Sequence, residues 1–506
     1  MRPYSRKWNR LLSADGSAPL SARAARGAAV TASTQLGRLV VQLVGLVVLA
    51  RLLPPETFGL VAMSSAIVGL GDVLRDFGLS SAAVQAKTLS RGQASNLFWL
   101  NAGMGLALSA IVLAVAPLLG WFYGDSRVTW ITLAIAGTFL INGLQVQFQV
   151  QLVRAMRFGV VSGSDLAAQT VALMLAIVSA LSGLSYWAIV IQLISQPLVL
   201  LLIRAFSARW RPGPVDRTSD IRDFVRYGSS LVGTQVTVYV SSNIDSVIIG
   251  SAFGPQPLGL YNRAYQILVL PLSQFLAPMT NVALPVLSKL NTERLRFQRY
   301  LEHAHRVVAY VTAAAYAVLG AVSQDLVPLL LGPAWQGTAF FFVILAIGGV
   351  FQAANYSSYW VYLAMAKTGS HFRYSLIARS ILVASLFVGA VFGPFGVAAG
   401  YSFAMVLALP LSMIWLSRST GVDVREISWT SARSSSLALV SGAAGYSMSL
   451  TDLPPFPRML LAGVVTVAVL ALTTAIFAPY RRDFRGLVQV VSQLRRKEDL
   501  IEGGNS

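Results

Sequence analysis

Residues 95–119 read SNLFWLNAGMGLALSAIVLAVAPLL, twenty-five positions without one Asp, Glu, Lys or Arg. Wound as a helix, the run is about 37 Å long, enough to cross a hydrocarbon core about 30 Å thick. It does not alternate as a half-buried strand would. In lipid only helices and closed barrels satisfy all their backbone N–H and C=O groups. The stretch therefore reads as a transmembrane helix.

Working outward, comparable runs recur at 29–52, 57–79, 128–150, 160–182, 185–206, 229–252, 257–287, 305–324, 338–364, 372–392, 395–417, 431–450 and 457–478, fourteen spans in all. The fold class is an all-α polytopic membrane protein. Composition agrees: of 506 residues 55% are hydrophobic and 12% charged, against about 25% charged in soluble domains. The run 257–287 is long and holds Pro271, Pro278 and Pro285. Proline removes a donor and kinks a helix, so one bent span is expected there.

Several chemistries are excluded by residue type. There is no Cys, hence no disulfide, thiolate or Cys-based metal site. The three histidines are His303, His305 and His371, and the first two point to different helix faces. No HExxH, EF-hand loop or GxxxxGK[ST] is present. No metal, cofactor or ATP-driven motor is expected, and no enzyme activity. A driving force would come from an ion gradient, a substrate gradient or a partner.

The formal net charge of +19 resembles that of a nucleic-acid binder, but its distribution argues otherwise. With the N-terminus inside, cytoplasmic segments hold 32 of the 39 Lys and Arg, Arg204 and Arg209 among them. Outer loops hold Arg51, Arg127 and Arg458. This is the positive-inside pattern, together with attraction to anionic lipid headgroups. Nucleic acid is not an expected partner. The expected organisation is a basic cytoplasmic arm (1–27), a first lobe (28–207), a cytoplasmic linker (208–228), a second lobe (229–417), a helix pair (418–478) and a cytoplasmic tail (479–506). Within the linker, Thr218 to Tyr227 fits a short interfacial helix. Both termini are then cytoplasmic.

The sequence also repeats itself at an offset of 200. Pro55-Glu56-Thr57-Phe58-Gly59-Leu60 aligns with Pro255-Gln256-Pro257-Leu258-Gly259-Leu260, and Thr34-Gln35 with Thr234-Gln235. Both copies begin at odd-numbered spans, so the repeats run parallel, a known transporter plan.

The segments Ala50-Arg51-Leu52-Leu53-Pro54-Pro55-Glu56-Thr57-Phe58-Gly59-Leu60 and Asp76-Phe77-Gly78-Leu79-Ser80-Ser81-Ala82-Ala83-Val84-Gln85 are distinctive. Together they resemble the polysaccharide transporter (Wzx-type flippase) branch of the multidrug/oligosaccharidyl-lipid/polysaccharide exporter superfamily, most of all its colanic-acid, succinoglycan and lipopolysaccharide exporters. The resemblance implies a V-shaped fold of two six-helix lobes plus a helix pair. It also implies inner-to-outer leaflet movement, in the bacterial inner membrane, of an undecaprenyl-diphosphate-linked oligosaccharide. Polymerase or export proteins of the same pathway are possible partners. A cation-coupled drug antiporter of the same superfamily, or a membrane-embedded polymerase or ligase, are the alternatives. The first would be expected to line its cavity with acids, and the second usually needs a long outer loop.

A polyprenyl tail can stay in lipid, because extracting it costs about 0.8 kcal/mol per CH₂. The anionic head needs a hydrated, cationic path. A charge at mid-membrane costs on the order of 3 kcal/mol, so it suggests function. The candidates for a cationic cavity are Arg38, Arg75, Arg263 and Arg379. Snorkelling to an interface is the alternative for Arg38, Arg263 and Arg379, and a pair with Asp72 for Arg75. Asp72, Asp76, Asp165 and Asp245 are candidates for ion coupling, or partners of those arginines. Asn142, Gln145 and Gln149 share one helix face; with Asn355 and Tyr359 they are candidates for sugar contact, or for interhelical hydrogen bonds.

Overall fold

The computed structural model describes residues 20–76 and 79–486, with side chains except at 20–32, 67, 72–76, 81, 227–235, 237, 238 and 277. Each expected span overlaps helix among the described residues, which contain no strand. Contacts divide the chain into two compact units, Met1–Gly259 and Leu260–Ser506.

The first unit holds α1 (Leu20–Leu52), α2 (Pro55–Asp76), α3 (Leu79–Gln85), α4 (Arg91–Tyr123), α5 (Ser126–Arg154), α6 (Phe158–Leu181), α7 (Trp187–Ser207), α8 (Arg222–Phe253) and the first turn of α9 (Pro255–Pro271). Local chemistry sets the ends. Ser90 and Gln93 form a capping box at the start of α4, each side chain bonded to the other's backbone N–H at 3.0 and 3.1 Å. Gly124 closes α4 with φ 68°, a conformation that glycine adopts without strain. Asp125 caps α5 by accepting from the Arg127 N–H at 2.9 Å. The Arg127 guanidinium, also 2.8 Å from Glu56, holds the Asp125 carboxyl below the usual carboxylate range.

Helices α4 and α5 form the most intimate pair of this unit. A Cβ at Gly105 would stand 2.6 Å from the Phe139 carbonyl oxygen, and one at Gly143 2.5 Å from that of Asn101. Small residues let membrane helices approach to backbone contact, where dispersion replaces the hydrophobic drive that lipid lacks. Around this pair α7 and α2 lie on α5, α6 on α7, α1 on α6 and α8 on α2.

The linker differs from expectation. Residues 208–221 form bends and turns, and Arg222–Tyr227 are the first turns of α8 rather than a separate interfacial helix. The turn is strapped to α4 by side chains. Asn96 binds both the N–H and the carbonyl of Asp216, at 2.8 and 2.7 Å, and the Trp99 Nε1–H donates to the Gly213 carbonyl at 2.9 Å. Trp210 is buried against Phe98 and Phe148.

The second unit continues α9 through one π-helical turn (Leu272–Leu276) into α10 (Ala277–Leu290), bent by 42°, as the prolines foretold. There follow α11 (Arg294–Leu331), α12 (Gln336–Ala364), α13 (Thr368–Ala390), α14 (Pro394–Thr420), α15 (Arg425–Tyr446) and α16 (Pro455–Ile476). Trp335, Trp360, Tyr316, Phe341 and Phe342 are among its largest buried side chains. Asp483, 1% exposed, lies in helical turns after α16 and ties them to α11 and α15. It accepts from Arg433 Nε at 2.7 Å and the Tyr310 hydroxyl at 2.8 Å, with Arg306 Nε 3.1 Å away.

Among the described residues ten helices are long and apolar enough to cross a membrane, eleven if the bent pair counts as one span. Only 11% of the α16 window is buried, and Leu460, Val464, Val467 and Leu472 are each more than half exposed. Lipid is the solvent that accepts such a surface; in water it would associate. The protein is an all-helical, multi-pass membrane protein. The close approach of α4 and α5 sets an expectation: Gly143→Val should destabilise by about 1–3 kcal/mol, while Gly137→Ala, with nothing within 4 Å of its added Cβ, should be neutral or stabilising by up to about 1 kcal/mol. Thermal unfolding of the detergent-solubilised protein reads both.

Candidate functional site

Arg204 sits in the last turn of α7, at 2% exposure. Sequence reasoning counts it with the cytoplasmic arginines; the structure turns it inward. Its Nη2 donates to Asp165 Oδ1 at 2.7 Å, its Nη1 to Gln145 Oε1 at 2.6 Å and Gln149 Oε1 at 3.0 Å, and its Nε to Ser164 Oγ at 3.2 Å. Gln145 and Gln149 stand four residues apart on α5, so both amide oxygens face one guanidinium. Ser164 and Asp165 come from the second turn of α6. A planar fork of five donors suits several acceptors from two neighbouring helices. A buried charge is tolerable only with such satisfaction.

Asp165 has a second claimant. Its Oδ2 lies 3.9 Å from Arg38 Nη1 on α1, and Arg38 is 44% exposed while Asp165 is 26% exposed. Gln169 Nε2 donates to the Arg38 carbonyl at 3.4 Å, holding α1 to α6 beside the pair. Two guanidiniums thus share one carboxylate. Arg204 is enclosed, and the excess positive charge is presented at Arg38. Such a patch attracts an anion.

The structure brings Arg38, Gln145, Gln149 and Asp165 together and adds Arg204 and Ser164, which sequence reading missed. Asn142, on the same helix as the two glutamines, is half-buried and stands outside this hydrogen-bonded set. Asp245 on α8 is 5% exposed and accepts from the Ser246 N–H at 2.7 Å. The side chains of Asp72, Arg75 and Asp76 lie outside the described residues.

In the second unit Arg263 is 7% exposed, donates to Gln266 Oε1 at 2.7 Å and lies 5.5 Å from the Trp335 ring centre. Arg379 is half-buried on α13. Asn355 donates to the Tyr374 hydroxyl at 3.0 Å, and Tyr374 in turn to the Ala408 carbonyl at 3.1 Å. Tyr359 is partly exposed, its ring 5.9 Å from Tyr356 and 5.5 Å from His371. His371 also faces Tyr362 at 5.1 Å and Tyr374 at 6.4 Å. The signal for this patch was Tyr356, Tyr359 and Tyr362 at i, i+3, i+6 on α12, facing His371 and Tyr374 at i, i+3 on α13. Of these rings only Tyr359 is exposed, at 36%, whereas Tyr362 and Tyr374 are buried at 0% and 6%, and Asn355 is engaged by Tyr374.

Residues 48–339 match the family described as "Polysaccharide biosynthesis protein". The chain is 24% identical over 375 residues to the lipopolysaccharide biosynthesis protein WzxC of Escherichia coli (strain K12), covering 73% of this chain and 76% of that one. It is 23% identical over 423 residues to the succinoglycan biosynthesis transport protein ExoT of Rhizobium meliloti (strain 1021), covering 83% and 81%. In fold it resembles the lipid II flippase MurJ in an inward closed conformation, with TM-score 0.67 at 16% identity over 89% of this chain and 99% of that one.

The Arg204 cage makes a stability prediction. Asp165→Asn leaves a buried guanidinium without its carboxylate and should cost about 3–5 kcal/mol, whereas Asp165→Leu combined with Arg204→Met should recover most of it. Arg38→Ala should cost no more than about 1 kcal/mol, because its pair is exposed. Thermal unfolding in detergent distinguishes the three.

Proposed function

We propose, since the chain belongs to the polysaccharide biosynthesis protein family, that it moves an undecaprenyl-diphosphate-linked oligosaccharide from the inner to the outer leaflet of the bacterial inner membrane by alternating access. The observation that carries this reading is the charge balance of the first unit: Arg38 and Arg204 over the single carboxylate of Asp165. A pyrophosphate headgroup supplies the missing negative charge. The polyprenyl tail remains in lipid, and the protein shelters the polar head during its passage. No covalent chemistry is needed.

The assignment extends to residues beyond this cluster. Arg263 and Arg379, with Arg75, guide the headgroup in the second half of its path. Tyr359 stacks on a sugar ring, and Asn142 offers both an amide donor and an acceptor to hydroxyls. Asp245, or the Asp72 and Asp76 pair, serves a coupling cation. The chain crosses the membrane fourteen times with both termini cytoplasmic, and its basic loops bind anionic lipids. A cationic drug as cargo is disfavoured, because Asp165 is already engaged by Arg204 at 2.7 Å.

A deletion strain should accumulate lipid-linked oligosaccharide on the cytoplasmic face, and the wild-type gene should clear it. Losing a charge-assisted contact of about 1.5–3 kcal/mol corresponds to roughly a tenfold or greater loss. Arg38→Ala, Arg263→Ala and Arg379→Ala should each reduce export to that extent with unchanged protein in the membrane, and Arg38→Lys should retain part of it. Normal export by all three alanine variants would overturn the cationic path.

A further inference from the structure

The repeated turn noted in the sequence meets its own copy in space. Pro55 and Pro255 each occupy the first position of a helix, α2 and α9, where the missing N–H costs nothing. Four residues on, one turn along the same face, stand Gly59 and Gly259. A Cβ on Gly59 would lie 1.7 Å from the Pro255 carbonyl oxygen. A Cβ on Gly259 would lie 1.9 Å from the Pro55 carbonyl oxygen and 3.1 Å from the Gly59 nitrogen. Each glycine therefore rests on the other copy's proline carbonyl. All four residues lie in the first unit.

This reciprocity is that of a local two-fold contact, and the 200-residue offset of the sequence explains it. No residue but glycine fits at either centre. The surroundings are dry: Thr57, Leu60 and Leu258 are 3%, 1% and 0% exposed, and a Cβ on Gly250 would touch Leu258 and Met63 at 3.2 Å. The four residues carry no charge. The nearby Arg127–Glu56 pair is about half exposed, at 42% and 45%, and therefore weak. What joins the two turns is backbone-to-backbone packing of the Cα–H···O kind, which is weak per contact and lost completely once the helices part by the width of a methyl group. Such a contact depends on shape and is broken by a small separation.

We propose that the reciprocal Pro55–Gly59 and Pro255–Gly259 contact is the outer latch of the transport cycle, joined when the outer side is shut and parted when it opens. The proposal rests on the flippase reading for the words "outer" and "cycle"; the contact itself does not. Its use of both repeats explains why the motif is present twice. A methyl group on either glycine should hold the turns apart.

The absence of native cysteine makes a direct test available. A single thiol introduced as Leu258→Cys, buried in the latch, is probed with a membrane-impermeant maleimide on intact cells and on inverted vesicles. Gly59→Ala and Gly259→Ala should each speed its labelling from the outer face and reduce export, both by about tenfold or more, as a shift of a two-state equilibrium requires. Gly103→Ala, whose added Cβ meets nothing within 4 Å, should change neither. A second measurement does not depend on the glycine variants folding well. With both glycines intact, the thiol of the Leu258→Cys variant should be labelled faster in cells that supply lipid-linked sugar than in cells blocked in its synthesis. Unchanged labelling and export in both glycine variants, or labelling indifferent to substrate supply, would overturn the latch. Faster labelling seen only in inverted vesicles would leave the contact a latch but overturn its place on the outer face, and with it the proposed orientation. Failure of the wild-type gene to restore export would overturn the flippase reading alone.

Discussion

Lipid offers Arg204 no hydrogen bonds, so every donor it turns inward must find an acceptor on a neighbouring helix. Its partners come from α5 and α6, and each constrains the register of its own helix: Gln145 and Gln149 must share a face, and Ser164 must precede Asp165. The guanidinium is thereby a pin through three helices of the first unit. Its cost is offset only while the set is complete. Arg38 inherits its setting from that pin, since Asp165 divides its two oxygens between the arginines. A buried ion pair and a half-exposed cation are thus built on the same carboxylate.

The second unit has polar ties of its own. Asp483 gathers Arg306, Arg433 and Tyr310 at one edge, and Asp325 takes Arg458 Nε at 3.0 and 3.1 Å elsewhere. His305, fully buried, bridges Ser357 and Ser431 at 2.9 and 3.0 Å, joining α11, α12 and α15. Between these polar ties the helices meet through aromatic packing and small residues, while α16 gives most of its surface to lipid. Polar groups inside and apolar groups outside are what a membrane solvent selects.

Much of the fold was legible because unbroken apolar runs leave the chain no alternative to helices in lipid, and the three prolines between 271 and 285 marked the bend of α9 and α10. The motif around Pro55 and Gly59 pointed to the family before any coordinates. The site was less legible. A basic residue at the end of an apolar run reads as an orientation signal, and the sequence does not separate Arg204, inside the last turn of α7, from Arg209 beyond its end. The distinction is made by acceptors on α5 and α6, far away in sequence. The start of α8 was misjudged because the helix that begins at Arg222, whose N–H donates to Asp220 at 2.8 Å, runs without a break into the span. Gln145, Gln149 and Asp165 stood out in the sequence as polar positions within apolar runs, but pattern alone could not say that all three accept from one buried arginine.

The proposed function requires that the excess guanidinium charge at Arg38 recognise a negatively charged headgroup. The most direct measurement is transbilayer movement of a fluorescent prenyl-diphosphate sugar in liposomes containing the purified protein, set against the same sugar on a neutral prenyl ether. The diphosphate-linked lipid should move and the neutral one stay, with rising salt slowing the former. Equal movement of both, or of neither in protein that remains folded, would contradict it.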